Sequence, residues 1–350
     1  SDDPMALAAL SLALGAGAGE FSCPILEPAA VKPGDERWTT KPTVDCAFKF
    51  INGATTPWSG AADEVSSPIF NATTSSRAVI GKIPSMGEEE ALEAVHAAAA
   101  AWDKGQGTWP RMSLAKRIEA IENLVEQLKA DREQMVSVLE WEIAKSSKDA
   151  AAEFDRTMQF VATVIAELKR DPNLGQGLAG WTTVSGVGVR MRRGPVGVML
   201  ALAPFNYPLN EMYAMLIPAL LMGNVAILKL PAIGGLVHCL TVRAFSQVLP
   251  KGAINFVSGS GRKTMAPIMA SGLVDVLGFI GGTKGADALI KGHPQPHRLK
   301  VFSQLEGKNL GIVLPDADLD VAAAACATGG LSYNGQRCTA VKLIMVHESV

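Results

Sequence analysis

The chain has 350 residues, of which 48% are hydrophobic, and its formal net charge is −2. This length suits two domains with sizeable cores, and the near-neutral charge gives no long-range attraction to nucleic acid or to anionic membranes. Aromatic residues make up only 6% of the chain, which argues against a surface on which nucleic-acid bases stack. Neither a nucleic acid nor a membrane is therefore expected as a partner.

Residues 1–45 carry Pro, Gly and mixed charge without periodicity, and they predict a loosely ordered N-terminal extension. Within it, Met5 to Gly19 is apolar but too short to span a bilayer, and it follows acidic residues instead of the basic ones of a secretory signal. It is interpreted either as a fraying helix or as the remainder of a clipped targeting segment. Because Ser1 is not Met, translation is expected to start upstream.

A hairpin and four helices are predicted next. Phe48–Ile51 alternates in polarity and is followed by Asn52 and Gly53, which predicts a strand and a tight turn. A Ser-x-x-Glu pattern from Ser85 predicts the N-terminal cap of the first helix. Further elements are a strand near residues 76–83 and helices from Ser113, over about 132–144 and over 148–169.

After Gly186, apolar runs alternate with helical segments. Apolar strands that are separated by helices indicate βαβ units and a mostly parallel sheet. The predicted fold class is therefore α/β, a Rossmann-type parallel sheet with flanking helices. Strands are predicted at 187–193, 197–203, 225–229, 254–257 and 274–280, with helices between the last four.

Polar residues and glycines follow these strands, at the carboxyl ends where such sheets bind ligands. Any one of them is equally well explained as a residue that simply ends a strand, but four strand ends together predict a nucleotide site. The residues are Asn206, Lys229, Gly259, Gly261, Gly281, Gly282 and Thr283.

Cys338 has the surroundings of a nucleophile. It follows Arg337 in a stretch of small and polar residues, and a neighbouring cation favours the thiolate, which is the reactive form of cysteine. A lone cysteine is by itself more often a small buried hydrophobic residue. The assignment therefore depends on the rest of the chain.

The other cysteines and the histidines predict neither a disulfide nor a metal site. The five cysteines lie far apart without a C-x-x-C pair, which indicates free thiols in a reducing compartment. His293 and His297 are the one close pair of histidines in the sequence, and their polar, Pro-rich surroundings are interpreted as a solvated turn.

Six stretches together resemble the aldehyde dehydrogenase superfamily, over roughly residues 46–350. Within it, Pro-Phe-Asn-Tyr-Pro combined with Gly-Gln-Arg-Cys-Thr-Ala-Val-Lys is similar to the NADP-dependent, non-phosphorylating glyceraldehyde-3-phosphate dehydrogenases. The stretches are Pro204–Pro208, Ile227–Lys229, Phe279–Thr283, Leu305–Asn309, Pro315–Leu319 and Gly335–Ala340.

The resemblance implies a domain organisation. Residues 46–305 would form the NAD(P)-binding domain with its N-terminal helices, and residues 306–350 would begin an α/β catalytic domain. The family's chains continue beyond the position of Val350 with the rest of the catalytic domain and an oligomerisation strand. A homo-oligomer, a dimer or a tetramer, is therefore expected of the full-length protein. The expected location is the cytoplasm, with a plastid as the alternative.

The resemblance also implies the chemistry. Cys338 would attack an aldehyde carbon, and the Asn206 side chain and the Cys338 backbone N–H would donate hydrogen bonds to the resulting oxyanion. Hydride would then leave to NADP, with NAD as the alternative cofactor. Glu306 would activate the water that hydrolyses the thioester.

The implied substrate is a phosphorylated aldehyde, D-glyceraldehyde 3-phosphate, which glycolysis would supply. The implied product is 3-phosphoglycerate. The alternatives are another small aldehyde or semialdehyde, or a non-catalytic binding protein. The implied substrate-binding residues are Arg156, Tyr207 and Arg337. The implied cofactor-binding residues are Pro204, Phe205, Lys229, Gly259, Gly261, Gly281, Gly282 and Thr283.

The preference for NADP follows from the position three residues after Lys229. Many NAD-using relatives carry Glu there, which repels a 2′-phosphate, whereas this chain has Ala232.

The chain departs from the family pattern at its cofactor and base motifs. The family's third cofactor glycine corresponds to Met265, and the Ser of its Gly-Ser-Thr corresponds to Gly282. The family's Leu-Glu-Leu-Gly-Gly-Lys is shortened here, so that a gapless match puts Gln304 at the position of the general base. A two-residue deletion after Glu306 keeps the Leu-Glu pair, and Glu306 is therefore preferred.

Overall fold

The computed structural model describes residues 30–31, 41–71, 76–170, 181–189 and 193–350. The predictions for Met5 to Gly19 lie outside these residues. The described chain divides into two compact units, one that ends at Leu305 and one that begins at Glu306. The assignment of residues 46–305 to NAD(P) binding and of residues 306–350 to a catalytic domain stays a prediction.

A mixed sheet and a hairpin begin the first unit. In the hairpin, Asn52 and Gly53 have φ values of 54° and 72°, the left-handed pair that a type I′ turn requires. The predicted hairpin is therefore confirmed. The hairpin strands are β3 (Phe48–Ile51) and β4 (Ala54–Pro57). The sheet has the order β1-β5-β6-β2 and consists of β1 (Ala30–Val31), β2 (Val44–Asp45), β5 (Ala62–Asn71) and β6 (Arg77–Pro84).

Strands β1 and β2 fall in the segment that sequence analysis predicted to be loosely ordered. They pair in parallel with β5 and β6. The sequence pattern missed them because a two-residue strand is too short to present an alternation of polar and apolar side chains.

The next helices carry most of the N-terminal core. The predicted cap at Ser85 was wrong: the first helix starts after Gly87, whose N–H donates to Glu90 Oε2 at 2.8 Å. The Ser85 N–H instead donates to the Ala61 carbonyl at 2.9 Å, which places Ser85 before the helix. The helix predicted to begin at Ser113 is confirmed, and Ser113 is its N-cap. The helices in residues 76–170 are α1 (Glu88–Trp102), α2 (Thr108–Arg111), α3 (Leu114–Ala130), α4 (Arg132–Ile143) and α5 (Ser147–Arg170).

A parallel sheet forms the centre of the first unit, and its described strands have the order β11-β10-β9-β12-β13. The chain leaves β9 towards β10 and β11 and then returns to the other side of β9, which creates the switch point at which such sheets bind ligands. The strands are β9 (Val198–Leu202), β10 (Val225–Lys229), β11 (Ile254–Val257), β12 (Val276–Ile280) and β13 (Lys300–Gln304). The connecting helices are α6 (Pro208–Leu221), α7 (Leu236–Val248), α8 (Gly261–Ala270) and α9 (Thr283–Gly292).

This arrangement confirms the predicted α/β fold class. Every residue of β10 and β11 is buried, because helices cover both faces of a parallel sheet. A short hairpin precedes the sheet and consists of β7 (Thr182–Val184) and β8 (Val187–Val189).

The helices before the sheet also satisfy the backbone at the end of α6. The last carbonyls of a helix have no partner within the helix. The Trp109 indole donates to the Leu220 carbonyl at 3.0 Å, and Arg117 Nε donates to the Leu221 carbonyl at 2.7 Å. Burial lowers the pKa of Arg117.

The second unit, residues 306–350, contains two parallel strands and a helix. Asp318 caps this helix, because its Oδ1 accepts from the N–H groups of Asp320 and Val321 at 3.1 Å each. The elements are β14 (Asn309–Val313), α10 (Leu319–Leu331) and β15 (Val341–Val346).

The prediction that all cysteines are free was wrong for one pair. Cys46 and Cys239 form a disulfide between residues that are 193 positions apart, and only the fold brings so distant a pair together. Cys326 is a free thiol, and Cys23 lies outside the described residues.

The prediction of a solvated His293 was also wrong. His293 is buried, accepts from the Gln295 N–H at 3.0 Å and donates through Nε2 to the Val274 carbonyl at 3.0 Å. The described part of the chain contains no group of three or more His, Cys, Asp or Glu that could hold a metal ion. Within those same residues, no helix combines the length and the apolar content that crossing a bilayer requires.

A buried carboxylate fixes the start of α7. Glu142 on α4 is 1% exposed, and its Oε1 accepts from the N–H groups of Gly234 and Gly235 at 2.7 and 2.9 Å. Its Oε2 accepts from the Leu236 N–H at 3.1 Å. These bonds favour the ionised form, but burial has the larger effect and raises the pKa of Glu142 to about 7.

We predict that ionisation of Glu142 makes the protein less stable as the pH rises. Its pKa lies near the usual 4.5 in the unfolded chain and at about 7 in the folded one, so the folded state holds more protons between these values. The free energy of unfolding should therefore fall by on the order of 3 kcal/mol across this window. Glu142→Gln should lack this part of the slope in urea titrations at a series of pH values.

The control for this experiment is Glu119→Gln, which changes an exposed carboxylate on α3. It should keep the pH slope of the unchanged protein. Equal slopes for Glu142→Gln and the unchanged protein would contradict the prediction.

Candidate active site

The loops that follow β9, β10, β11 and β12 lie at one edge of the parallel sheet, because parallel strands end on the same side. The loops after β9 and β12 flank the switch point. The structure thus brings the residues predicted to bind the cofactor to this edge. They are Pro204, Phe205, Lys229, Gly259, Gly261, Gly281, Gly282 and Thr283.

The loop after β9 carries Asn206 and Tyr207 and leads into α6. A buried carboxylate, Glu153 on α5, fixes its end. Glu153 Oε1 accepts from the N–H groups of Leu209 and Asn210 at 3.1 and 3.2 Å, the first turn of α6. Glu153 thus supplies acceptors for helix amides that would otherwise have none.

Lys145 completes this support. Its ammonium forms an ion pair with Glu153 in which the two side chains are 1% and 0% exposed. The same ammonium lies 3.6 Å from the centroid of the Tyr207 ring. Burial raises the pKa of Glu153 and lowers that of Lys145, and in each case the partner's charge opposes the shift. Removing one member of such a pair typically lowers the free energy of unfolding by about 3–5 kcal/mol, because the other charge is left buried without a partner. The fold therefore needs both Lys145 and Glu153.

Sequence analysis did not select Lys145 or Glu153. The one signal in the sequence is that Glu153 interrupts the apolar stripe of α5, between Ala150 and Phe154. A charged residue on the buried face of a helix needs a partner, but the pattern does not say which residue supplies it.

Arg156 is exposed on α5, one turn after Glu153. The nearby carboxylates pair with other cations: Glu153 with Lys145, and Asp155 with Arg132 at 2.8 Å. Repulsion from Arg156 contributes to the lowered pKa of Lys145, so the two cations lie near each other. Arg156 therefore lies in the region of Lys145, the residue whose ammonium contacts the Tyr207 ring.

Lys229 ends β10 at the sheet edge. It is 8% exposed, and its ammonium donates to the Leu230 carbonyl. Desolvation lowers the pKa of Lys229 to about 8. No carboxylate occupies position 232, which is Ala232.

The helix N-termini at this edge differ in how their amides are satisfied. The protein's own carboxylates occupy the starts of α6 and α7, as described above. By contrast, Ser260, the N-cap of α8, makes no side-chain capping bond, and Gly282, the N-cap of α9, has no side chain with which to cap. A Cβ added at Gly261 would meet no atom closer than 3.9 Å. The starts of α8 and α9 therefore fit a phosphate-bearing dinucleotide.

Cys338, Arg337 and Glu306 belong to the second unit. Cys338 is half-buried in a turn that is closed by the Ala340 N–H, which donates to the Arg337 carbonyl at 3.1 Å. The turn follows three residues in the left-handed region, Tyr333, Asn334 and Gly335, with φ of 54°, 52° and 69°. Left-handed φ is uncommon for tyrosine, so this approach to Cys338 is strained.

Asn309, the first residue of β14, and Gly307, just before it, fix this turn. Asn309 Nδ2 donates to the carbonyls of Cys338 and Ala340 at 2.6 and 3.0 Å. A Cβ added at Gly307 would lie 2.9 Å from the Cys338 carbonyl oxygen, so this close approach requires glycine. Glu306, which is exposed, directly precedes Gly307. Sequence analysis included Asn309 in a family stretch but assigned it no role.

Arg337 is half-buried, and its guanidinium lies 3.5 Å from the Thr339 hydroxyl. Gln304, which a gapless match puts at the position of the general base, ends β13 in the first unit, where its carbonyl accepts from the Gly281 N–H at 3.2 Å. The two positions considered for the base therefore lie in different units.

Comparison with known proteins identifies the family of the chain. The model of the Aldehyde dehydrogenase family matches residues 59–350. A protein of Streptococcus equinus named NADP-dependent glyceraldehyde-3-phosphate dehydrogenase is 35% identical over 275 residues, which are 77% of this chain and 56% of that protein. One of the same name from Nicotiana plumbaginifolia is 34% identical over 301 residues, 84% of this chain and 58% of that protein.

A solved structure is similar as well. The crystal structure of NADP-dependent glyceraldehyde-3-phosphate dehydrogenase from Bacillus halodurans C-125 complexed with NADP superimposes with a TM-score of 0.75 at 29% identity. The match covers 87% of this chain and 62% of that one, so the chain spans less than two thirds of the length of these relatives. Because the family model matches well over half of the sequence, the chain belongs to the aldehyde dehydrogenase family.

Proposed function

We propose that the complete protein is an NADP-dependent aldehyde dehydrogenase that oxidises D-glyceraldehyde 3-phosphate to 3-phosphoglycerate without forming an acyl phosphate. The observation that carries this proposal is the turn around Cys338, which Asn309 and Gly307 hold against β14. The names of the relatives from Streptococcus equinus and Nicotiana plumbaginifolia support the choice of substrate and cofactor.

The reaction begins at Cys338. Its thiolate adds to the aldehyde carbon, a C–S bond forms, and the electron pair of the carbonyl moves to the oxygen. The Asn206 amide and the Cys338 N–H donate to this oxyanion, and one such donor is worth about 3–4 kcal/mol. Bound NADP supplies the acceptor for the hydride that leaves the same carbon. The product on the protein is a thioester of Cys338.

Glu306 then serves deacylation. It takes a proton from water as the water oxygen attacks the thioester carbon, and the Cys338 thiolate leaves. The close contact of Gly307 with the Cys338 carbonyl supports this role, because Glu306 is the residue next to that contact.

The open starts of α8 and α9 would hold the pyrophosphate of the cofactor, and Lys229 would lie near its adenosine ribose. The choice of NADP is supported by Ala232, where no carboxylate repels a 2′-phosphate. The phosphate of the substrate would be bound by Arg156, Tyr207 and Arg337. Guanidinium groups suit phosphate because their forked donors match two oxygens at once.

We predict that the complete protein reduces NADP in the presence of glyceraldehyde 3-phosphate and that inorganic phosphate is not required. Cys338→Ser should lower this rate by more than about a hundredfold while NADP still binds, because the hydroxyl is a far weaker nucleophile at neutral pH. The measurement is absorbance of the reduced cofactor.

Cys326→Ser is the matched control, since Cys326 is the other cysteine of the second unit's described residues, and it should keep full activity. Activity retained by Cys338→Ser would overturn the proposed nucleophile. A higher kcat/KM for an unphosphorylated aldehyde or semialdehyde would favour the alternative substrate class.

We also predict that Glu306, and not Gln304, is the deacylating base. Glu306→Gln should leave the first turnover of hydride fast and slow the following ones, because only thioester hydrolysis needs the base. Rapid-mixing measurements of the burst and the steady-state rate distinguish the two phases. If Gln304→Ala produces this pattern and Glu306→Gln does not, the two-residue deletion after Glu306 is the wrong alignment and Glu306 is not the base.

The proposed phosphate site predicts a selective defect. Arg156→Leu should raise KM for glyceraldehyde 3-phosphate about tenfold, since a charge-assisted hydrogen bond is worth about 1.5–3 kcal/mol. KM for unphosphorylated glyceraldehyde should change little. Arg298→Leu, which removes another exposed arginine, is the control and should leave both constants unchanged. Equal losses on both substrates would assign Arg156 to the fold.

A further inference from the structure

Lys342, the last residue of the stretch Gly-Gln-Arg-Cys-Thr-Ala-Val-Lys, contacts the backbone of the Cys338 turn. Its ammonium donates to the Arg337 carbonyl at 2.8 Å and to the Ala340 carbonyl at 3.1 Å. The Arg337 carbonyl also accepts from the Ala340 N–H at 3.1 Å, so it has two donors. Lys342 therefore reaches back from β15 to the peptide group that directly precedes the nucleophile.

That peptide group joins the Arg337 carbonyl to the Cys338 N–H. It is planar, and its peptide bond is trans, so the carbonyl and the N–H point in opposite directions. Fixing the carbonyl on Lys342 consequently fixes the direction of the Cys338 N–H. A cation at the carbonyl oxygen also draws electron density from the amide, which makes the N–H a stronger donor.

The next peptide group is fixed by a neutral partner. Asn309 donates to the Cys338 carbonyl at 2.6 Å. The two peptide groups that flank the Cys338 Cα are thus held from opposite strands, by Lys342 on β15 and Asn309 on β14. Both orient the turn, but only Lys342 brings a charge to the amide whose N–H faces the oxyanion in the proposed reaction.

We infer that Lys342 is a positioning residue for the oxyanion site: it aims and polarises the Cys338 N–H through the Arg337 carbonyl. This inference rests on the proposed function, in which that N–H stabilises the oxyanion of the thiohemiacetal. The step it serves forms the C–S bond and moves the carbonyl electron pair to oxygen. Lys342 takes no part in the transfer of protons or hydride.

The test uses the complete protein with NADP and glyceraldehyde 3-phosphate. Lys342→Met should slow the first hydride burst by about tenfold or more, because it weakens one oxyanion donor without removing it. KM and the affinity for NADP should stay within about twofold. Lys342→Arg, which keeps a cationic donor, should recover most of the burst rate. Lys116→Met removes an exposed lysine on α3 and should behave as the unchanged protein.

Alkylation of Cys338 by iodoacetamide separates positioning of the N–H from activation of the thiol. This displacement forms no oxyanion, so its rate should be the same within about threefold in Lys342→Met and in the unchanged protein. A burst in Lys342→Met that stays within about twofold would overturn the inference. Parallel losses of burst and alkylation would also overturn it, since Lys342 would then act on the thiolate.

Two further observations keep the test decisive. If Lys342→Met does not fold, Lys342→Gln is measured in the same way, because it keeps a neutral donor, and its burst should lie between those expected for Lys342→Met and Lys342→Arg. If Cys338→Ser still reduces NADP, the proposed function fails. If Cys338→Ser is inactive and the Lys342 variants are normal, only the inference about Lys342 fails.

Discussion

Two buried carboxylates determine the geometry of the sheet edge. The first amides of a helix have no partner within the helix and need an acceptor when they are buried. For α6 and α7 the acceptors are Glu153 and Glu142, which come from the helical region before the sheet. The loop that carries Asn206 is therefore positioned from α5 as well as by the strand that precedes it. A substitution in α4 or α5 that displaces one of these carboxylates is therefore expected to move the loops of the sheet edge.

The helices that start at this edge are of two kinds, which differ in whether a carboxylate of the protein accepts from their first N–H groups. Where the protein supplies its own carboxyl group, as at α6 and α7, a ligand anion would meet an occupied position. The starts of α8 and α9 lack such a group and present amides beside glycine. The distribution of buried carboxylates therefore supports the proposed position of the pyrophosphate at α8 and α9, more clearly than the glycines alone do.

The positions of the central strands can be predicted from the sequence, whereas the contacts between distant residues cannot. The bounds of β10 and β11 are those predicted, because strands buried on both faces appear as continuous apolar runs. The pair of Lys145 and Glu153, the disulfide and the contact of Asn309 with Cys338 were missed. Each of these contacts depends on which helices and strands pack against each other, and the periodicity of the sequence does not contain this information. The Ser-x-x-Glu pattern at Ser85 failed for a related reason, since the Ser85 N–H donates to the Ala61 carbonyl instead.

The central claim is that Cys338 carries the acyl group during turnover. Rapid acid quenching of the complete protein with NADP and glyceraldehyde 3-phosphate, followed by digestion and mass spectrometry of the peptides, tests it directly. The account predicts a phosphoglyceroyl adduct on the peptide that contains Cys338, formed only when the cofactor is present. An adduct on the Cys326 peptide instead, or hydride formation with no adduct on Cys338 at any quench time, would contradict it.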